Sequence, residues 1–182
     1  MVSVFLQFIL YSFLGFLLEV AYAWLRGIRG ESRKCLIFLP LCPVYGLGAA
    51  AILNMPDLLL RHPLSVFIAG GLLATLVEYA VGLFYEGVAR VRFWDYSQQP
   101  GNLGGRICPL YTLFWGVLAM VLVYWLQPVL APFLAQVPLG LVWALFLVFS
   151  VDGILSLCLL HETGTTESLR WYQAFQRPKE SM

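Results

Sequence analysis

Residues 78–108 read EYAVGLFYEGVARVRFWDYSQQPGNLGGRIC. The stretch starts inside a long apolar run with Glu78 and passes Glu86 at the run's edge. It then enters a loop carrying Trp94, Asp95, Tyr96, Ser97, Asn102 and Arg106, and apolar sequence resumes directly after Cys108. Polar groups this concentrated in so hydrophobic a chain need partners, because burying one without a hydrogen bond costs roughly 2–7 kcal/mol. The loop therefore marks the place where a polar site is expected, and the runs on either side of it set the fold.

Outward from this stretch, the chain of 182 residues is 60% hydrophobic and 12% charged, with a mean hydropathy of +0.81. Soluble domains run at about 45–50% apolar and about 25% charged. A chain this short cannot hide that much apolar surface in a water-soluble core, so lipid is the expected solvent. A crossing needs about 20 mostly apolar residues. Five segments meet or approach that: Val4–Trp24, Val44–Leu60, Leu64–Tyr85, Leu110–Leu126 and Leu139–Leu160. The second is the shortest and is interrupted by Asn54 and Pro56. Gln127–Pro138, apolar but with prolines at 128, 132 and 138, is expected to lie at the interface. The runs lack a strand's alternation, which favours helices over a barrel. The fold class expected is all-α, a polytopic membrane bundle of about five transmembrane helices. Residues 1–161 would form the helix-bundle domain and residues 162–182 a cytosolic tail. In that tail Leu169, Tyr172 and Phe175 suit a short interfacial helix that Pro178 would end.

Lys and Arg placement orients the bundle. With five crossings, Arg26, Arg29, Arg33, Lys34, Arg90, Arg92, Arg106, Arg170, Arg177 and Lys179 fall on one side, ten of the eleven basic residues, and Arg61 alone on the other. This puts the N-terminus outside and the C-terminus in the cytosol. Ala21-Tyr22-Ala23 looks like a cleavage site, but no basic residue precedes the apolar run, so a retained helix is expected rather than a signal peptide. Cys35, Cys42, Cys108 and Cys158 form no CxxC pair and fall on or near the reducing side, which argues against a disulfide framework. The net charge of +1 gives no argument for nucleic acid.

Glu19, Glu78 and Asp152 each lie within an expected crossing, at similar depth in its cytosolic half. An ionisable group there costs roughly 2.5–3.5 kcal/mol on insertion scales, so three at one level point to a shared polar cavity. Tyr11, Gly15 and Glu19 share a face at intervals of four. Gly71, Thr75, Glu78, Gly82 and Glu86 step by four, three, four and four, a stripe of small and acidic residues suited to close helix approach. Asp152 and Ser156 pair at i, i+4. The loop Phe93–Cys108, with Gly101, Gly104 and Gly105, is expected to fold back between helices, with Arg106 reaching a carboxylate. Leu39–Gly46, containing Pro40 and Pro43, is expected to break the start of the second helix, near that loop and with Cys42 near Cys108. The candidate binding residues are Glu19, Tyr45, Glu78, Glu86, Asp95, Tyr96, Asn102, Arg106 and Asp152. The acids could alternatively serve only to hold the bundle together. Neither His62 nor His161 is placed to complete a metal site, and no cofactor is expected.

Several of these residues carry a resemblance. Tyr11-Ser12-Phe13-Leu14-Gly15 with Glu19, Cys42-Pro43-Val44-Tyr45-Gly46, Glu78-Tyr79 with Gly82 and Glu86, Trp94-Asp95-Tyr96-Ser97, Pro100, Asn102, Gly105-Arg106-Ile107-Cys108 and Trp115-Gly116 resemble the bacterial ABC-transporter type IV, or CmpB-like, permeases. The chain departs from that pattern at Phe16, at Lys34-Cys35 and at Leu39. The resemblance implies a multi-pass protein of the bacterial inner (cytoplasmic) membrane with a transport role. The chain has no GxxxxGK[ST] phosphate loop, so an ATPase would have to be a partner subunit.

The first functional reading is a permease-like transport component with a carboxylate-lined site open to the cytosolic side, working as a homo-oligomer or with a partner such as an ATPase. The second is a membrane enzyme acting on a lipid or isoprenoid head group, with Asp95, Glu78 and Glu86 as acid and base and Arg106 holding an anion; no catalytic motif supports it. The third is a structural or regulatory membrane protein. Membrane lipid is the one partner common to all three.

Overall fold

The apolar runs fold as helices because a backbone in lipid must satisfy its own N–H and C=O groups. A computed structural model describes residues 2–27 and 35–170. In chain order the main helices are α1 (Val2–Leu25), α2 (Pro43–Leu53), α3 (Pro63–Ala89), α4 (Pro109–Leu134) and α5 (Leu139–Thr163). Four of them, all but α2, are long and apolar enough to cross a membrane. Large apolar side chains such as Leu17, Leu76, Phe114 and Leu147 face outward along all four, as a lipid-facing surface requires.

Two segments differ from the sequence expectation. Val44–Leu60 is not one span. Helix α2 has 11 residues, about 16 Å of rise against a hydrocarbon core of about 30 Å. It stops because Pro56 lacks an N–H and disfavours helical geometry at Met55; Asn54 Nδ2 turns back onto Ala50 O at 2.7 Å. A separate turn, Asp57–Leu60, follows. The second difference is at Gln127–Pro138, most of which continues α4 as helix to Leu134. The chain widens to a π-helical turn at Leu122–Leu126, where the Gln127 N–H bonds to Leu122 O five residues back. Pro128 follows directly, where its missing N–H breaks least. The Tyr11 hydroxyl donates to Gln127 Oε1 at 2.6 Å and ties this end of α4 to α1.

Contacts fix the relative directions. Tyr45 lies over Gly15 while Gly46 lies against Ser12 and Phe8, so α1 and α2 are antiparallel. Gly70 faces Ala119 and Thr75 bonds to Thr112 at 3.0 Å, so α3 and α4 are antiparallel too. They approach closely at Gly116, where a Cβ would run into Phe67. Phe5 and Phe8 pack on Phe146 and Phe149, at ring distances of 5.5 and 5.1 Å, so α1 and α5 run the same way.

Two buried clusters result. One joins Tyr11, Ile52, Val66, Ala74, Trp115 and Ala119. The other joins Cys35, Cys42, Val81, Tyr85, Leu160 and Leu169. Helix α5 ends at Gly164, in the left-handed region at φ +64°, and the turn Thr166–Arg170 tucks Leu169 into the second cluster. Of the expected tail helix, Tyr172, Phe175 and Pro178 lie outside the described residues, as do Arg29, Arg33, Lys34, Arg177 and Lys179 of the basic set.

Candidate functional site

Residues 35–42 cross from α1 to α2 as a non-helical strap whose backbone must find partners elsewhere. Asp152, 2% exposed on α5, supplies them. Its carboxylate accepts from three consecutive N–H groups, those of Ile37 (3.2 Å), Phe38 (3.1 and 3.2 Å) and Leu39 (2.7 Å). Ser156 Oγ accepts from Ile37 N–H at 2.9 Å and itself lies 3.3 Å from Asp152 Oδ1. At the far end the Cys42 N–H donates to Ser12 O at 2.9 Å, and Pro43 opens α2 where its missing N–H costs nothing. The strap brings Cys35 Sγ to 3.3 Å from Cys42 Sγ. The thiol beside Cys42 is thus Cys35; Cys108 is buried at the start of α4.

The loop after α3 is stitched by its own polar side chains. Asn102 Nδ2 donates to Ser97 O and Gln99 O at 3.0 and 2.8 Å, and its Oδ1 accepts from Gly105 N–H at 3.0 Å. Gly105 has φ +71°, and a Cβ there would strike Asp95 Oδ1, so glycine is required. The Asp95 carboxylate accepts from Ser97 N–H at 2.9 Å. That bond, more than nearby Arg92, holds its pKa below the usual carboxylate value. Trp94 Nε1 donates to Arg106 O at 2.8 Å. Arg106 pairs with Glu86, which Arg92 Nε also meets at 2.9 Å, and its guanidinium lies over the Tyr79 ring.

Between the strap, the loop, α1, α3 and α4 lies a cavity of about 260 Å³. Glu78, 3% exposed on α3, accepts from the Tyr96 hydroxyl and from Trp115 Nε1, each at 2.9 Å. Across the cavity Glu19 Oε1 accepts from the Tyr45 hydroxyl at 2.8 Å. Tyr45 can lie there only because position 15 is glycine: a Cβ at Gly15 would overlap the ring. The ring packs on Trp115 at 5.0 Å, and Tyr96 stacks on Tyr111 at 4.3 Å and 17°. Cys35 and Cys42 complete the wall on the strap side. A larger cavity of about 630 Å³, between α3 and α5, has walls such as Phe8, Leu47, Phe84, Phe149 and Leu157 and no carboxylate among its described lining. Convergent polar groups in an apolar pocket mark a binding site, which favours the smaller cavity.

Of the residues singled out by sequence, Glu19, Tyr45, Glu78 and Tyr96 share this cavity. Glu86 and Arg106 form an ion cluster beside it. Asp95 and Asn102 shape the loop, and Asp152 is turned to the strap instead of the cavity. The glycine-and-acid stripe of α3 does face one side: Gly71 and Thr75 meet α4, Glu78 meets Trp115, and Gly82 lies under Trp94 and Arg106. Tyr111, Trp115 and Cys35 were not singled out as site residues. The i, i+4 spacing of Tyr111 and Trp115, just after the loop, was the available signal.

No curated protein and no solved structure shows significant similarity to the chain. One family model matches residues 6–157, which take in the strap, the loop and both acids of the cavity. This chain belongs to the family described as "Putative ABC-transporter type IV" and is a multi-pass helical membrane protein.

Proposed function

We propose that this protein is the membrane-embedded component of a transport system and that the cavity between Glu19 and Glu78 holds its substrate. The observation that carries this reading is the cavity itself: two carboxylates from different helices, each hydrogen-bonded by an aromatic side chain, converging on one largely apolar cavity. Acids retained inside a membrane bundle mark solute pathways, and discontinuous helices are where transporters bind.

In this reading the protein sits in the bacterial inner membrane, with its N-terminus outside and its C-terminus in the cytosol. The strap and α2 together make one discontinuous traversal. The parallel course of α1 and α5 and the antiparallel course of α1 and α2 support this, since five passages give those directions. The cavity opens on the side of the basic residues, residues 1–161 form the bundle and 162–182 the tail. Energy coupling falls to a partner ATPase, and the small bundle acts with that partner or as a homo-oligomer. The test is solute flux in proteoliposomes of the full chain with its co-purifying partners. Flux that falls at least ten-fold in Glu78→Gln, with folded yield retained, is expected. Unchanged flux in that variant would remove the cavity from the pathway.

A further inference from the structure

We propose that the window between α3 and α5 is a binding site for one hydrocarbon chain of a membrane phospholipid. The cavity of about 630 Å³ lies there, and contacts at its two ends give it edges. At one end Phe8 packs on Phe149 at 5.1 Å. At the other, His161 Nδ1 meets Val88 O at 2.7 Å, and Leu160 and Ala89 share a buried cluster. Pro43 of α2 and Cys35 and Leu36 of the strap line it as well. The lining residues Leu47 and Phe84 are 44% and 46% exposed, so the cavity and the lipid-facing surface share residues.

The chemistry of the walls selects the occupant. The described lining has no charged side chain. Its Ser156 Oγ is engaged by the Ile37 N–H at 2.9 Å and lies 3.3 Å from Asp152 Oδ1. Tyr85 and Cys35 are the other polar side chains of the described lining, too few to give each of several waters its two to four polar partners. An apolar cavity of about 150 Å³ already stays dry and takes up an apolar guest, and this one is about four times larger. A helix of a second copy is too thick: at about 10–12 Å across with its side chains, only about 7 Å of its length would fit. A hydrocarbon chain is thinner, flexible and abundant in the surrounding bilayer.

Gly153 on α5 leaves room for it. This glycine lines the cavity, and a Cβ there would meet nothing within 4 Å. A chain seated here has α2 and the strap behind it, which separates it from the lipid that only skirts the bundle. Cys35 also lines the smaller cavity, so the strap stands between the two. The lipid site requires only that the bundle sits in a bilayer and holds whether or not the smaller cavity carries a solute.

The experiment uses the full chain in nanodiscs of phosphatidylethanolamine and phosphatidylglycerol doped with phosphatidylcholine carrying a diazirine in one acyl chain. Adducts are mapped by mass spectrometry after illumination. Wild type is expected to carry them at the window residues Val77, Ala80 and Leu157 and at the outward-facing Leu76 and Ile154. Gly153→Phe, which fills the window, should lower the window adducts at least five-fold and leave the outward ones unchanged, while Gly153→Ala should match wild type. Where Gly153→Phe folds poorly, Ala80→Phe fills the same space from the opposite wall, with Val77 and Leu157 as its readout. Native mass spectrometry of protein released from the same nanodiscs should retain one phospholipid on wild type and none on the filled variant.

Window adducts that are missing from wild type, or that persist undiminished in the filled variant, would overturn the site. So would release of wild type without lipid. A wild-type dimer that the filled variant splits into monomers would assign the window to a second copy and overturn the lipid reading.

Discussion

Glu78 accepts from two aromatic donors on different elements, Tyr96 in the loop and Trp115 on α4, so one carboxylate joins three parts of the chain. Hydrogen bonds to a charged group contribute about 1.5–3 kcal/mol, and a buried group stripped of its partner keeps its desolvation cost. Trp115→Phe and Tyr96→Phe are therefore each expected to destabilise the protein by about 1.5–3 kcal/mol, read from unfolding equilibria in mixed micelles. Thr75→Val, which removes the neutral bond to Thr112, should cost only about 0.6 kcal/mol, the average for interhelical hydrogen bonds in membranes. Equal losses from all three would mean that Glu78 is not the hub. At Asp95 the folded pKa is depressed, so its contribution to the loop is present above its unfolded pKa and lost as pH falls through the folded one. The protection of the Ser97 amide, its exchange relative to the intrinsic rate at each pH, should hold across neutral pH and fall only in acid, below the ordinary carboxylate range.

The strap is the element that sequence periodicity describes least and tertiary contacts describe best. Three consecutive N–H groups converge on Asp152, so Asp152→Ala removes the acceptor of the Phe38 and Leu39 N–H groups, while the Ile37 N–H keeps Ser156 Oγ. At about 1–3 kcal/mol per stranded group, Asp152→Ala is expected to unseat the strap, while Asp152→Asn, which keeps one acceptor oxygen, should cost less and Ser156→Ala least. Proteolysis between residues 35 and 42 would rank the three; a flat ranking would contradict the anchoring role. The same strap holds Cys35 and Cys42 with their sulfurs 3.3 Å apart. A short movement closes that gap to the roughly 2.05 Å of a disulfide. Treatment with diamide should yield the Cys35–Cys42 linked peptide by mass spectrometry as the main product. Linkage of Cys42 to Cys108 instead would place the strap differently.

At the level of the bundle, the half-length of α2 matters most. If the strap completes its traversal, the two ends of the chain lie on opposite sides of the membrane. If α2 and the strap enter and leave on one side, they lie on the same side. Tags at the two termini should be accessible from opposite sides of sealed cells, the N-terminal one from outside. Same-side labelling would reject five passages and with them the placement of the cavity mouth.

Hydropathy was enough for the solvent, the helical class and the positions of α1, α3 and α5, because lipid leaves the backbone few options. The α3 stripe was also readable, since its period of about 3.6 residues is a property of one helix. Partner choice was not readable. Glu78 meets Trp115 across 37 positions and Asp152 meets Ile37 across 115. Glu19, Glu78 and Asp152 look alike in the sequence, yet packing turns two toward one aromatic cavity and one toward a backbone strap, while Glu86 at the run's edge meets two arginines. Periodicity gives each side chain its face on its own helix; which acid meets a cavity, a strap or an arginine depends on how separate helices dock, through contacts that no local pattern encodes.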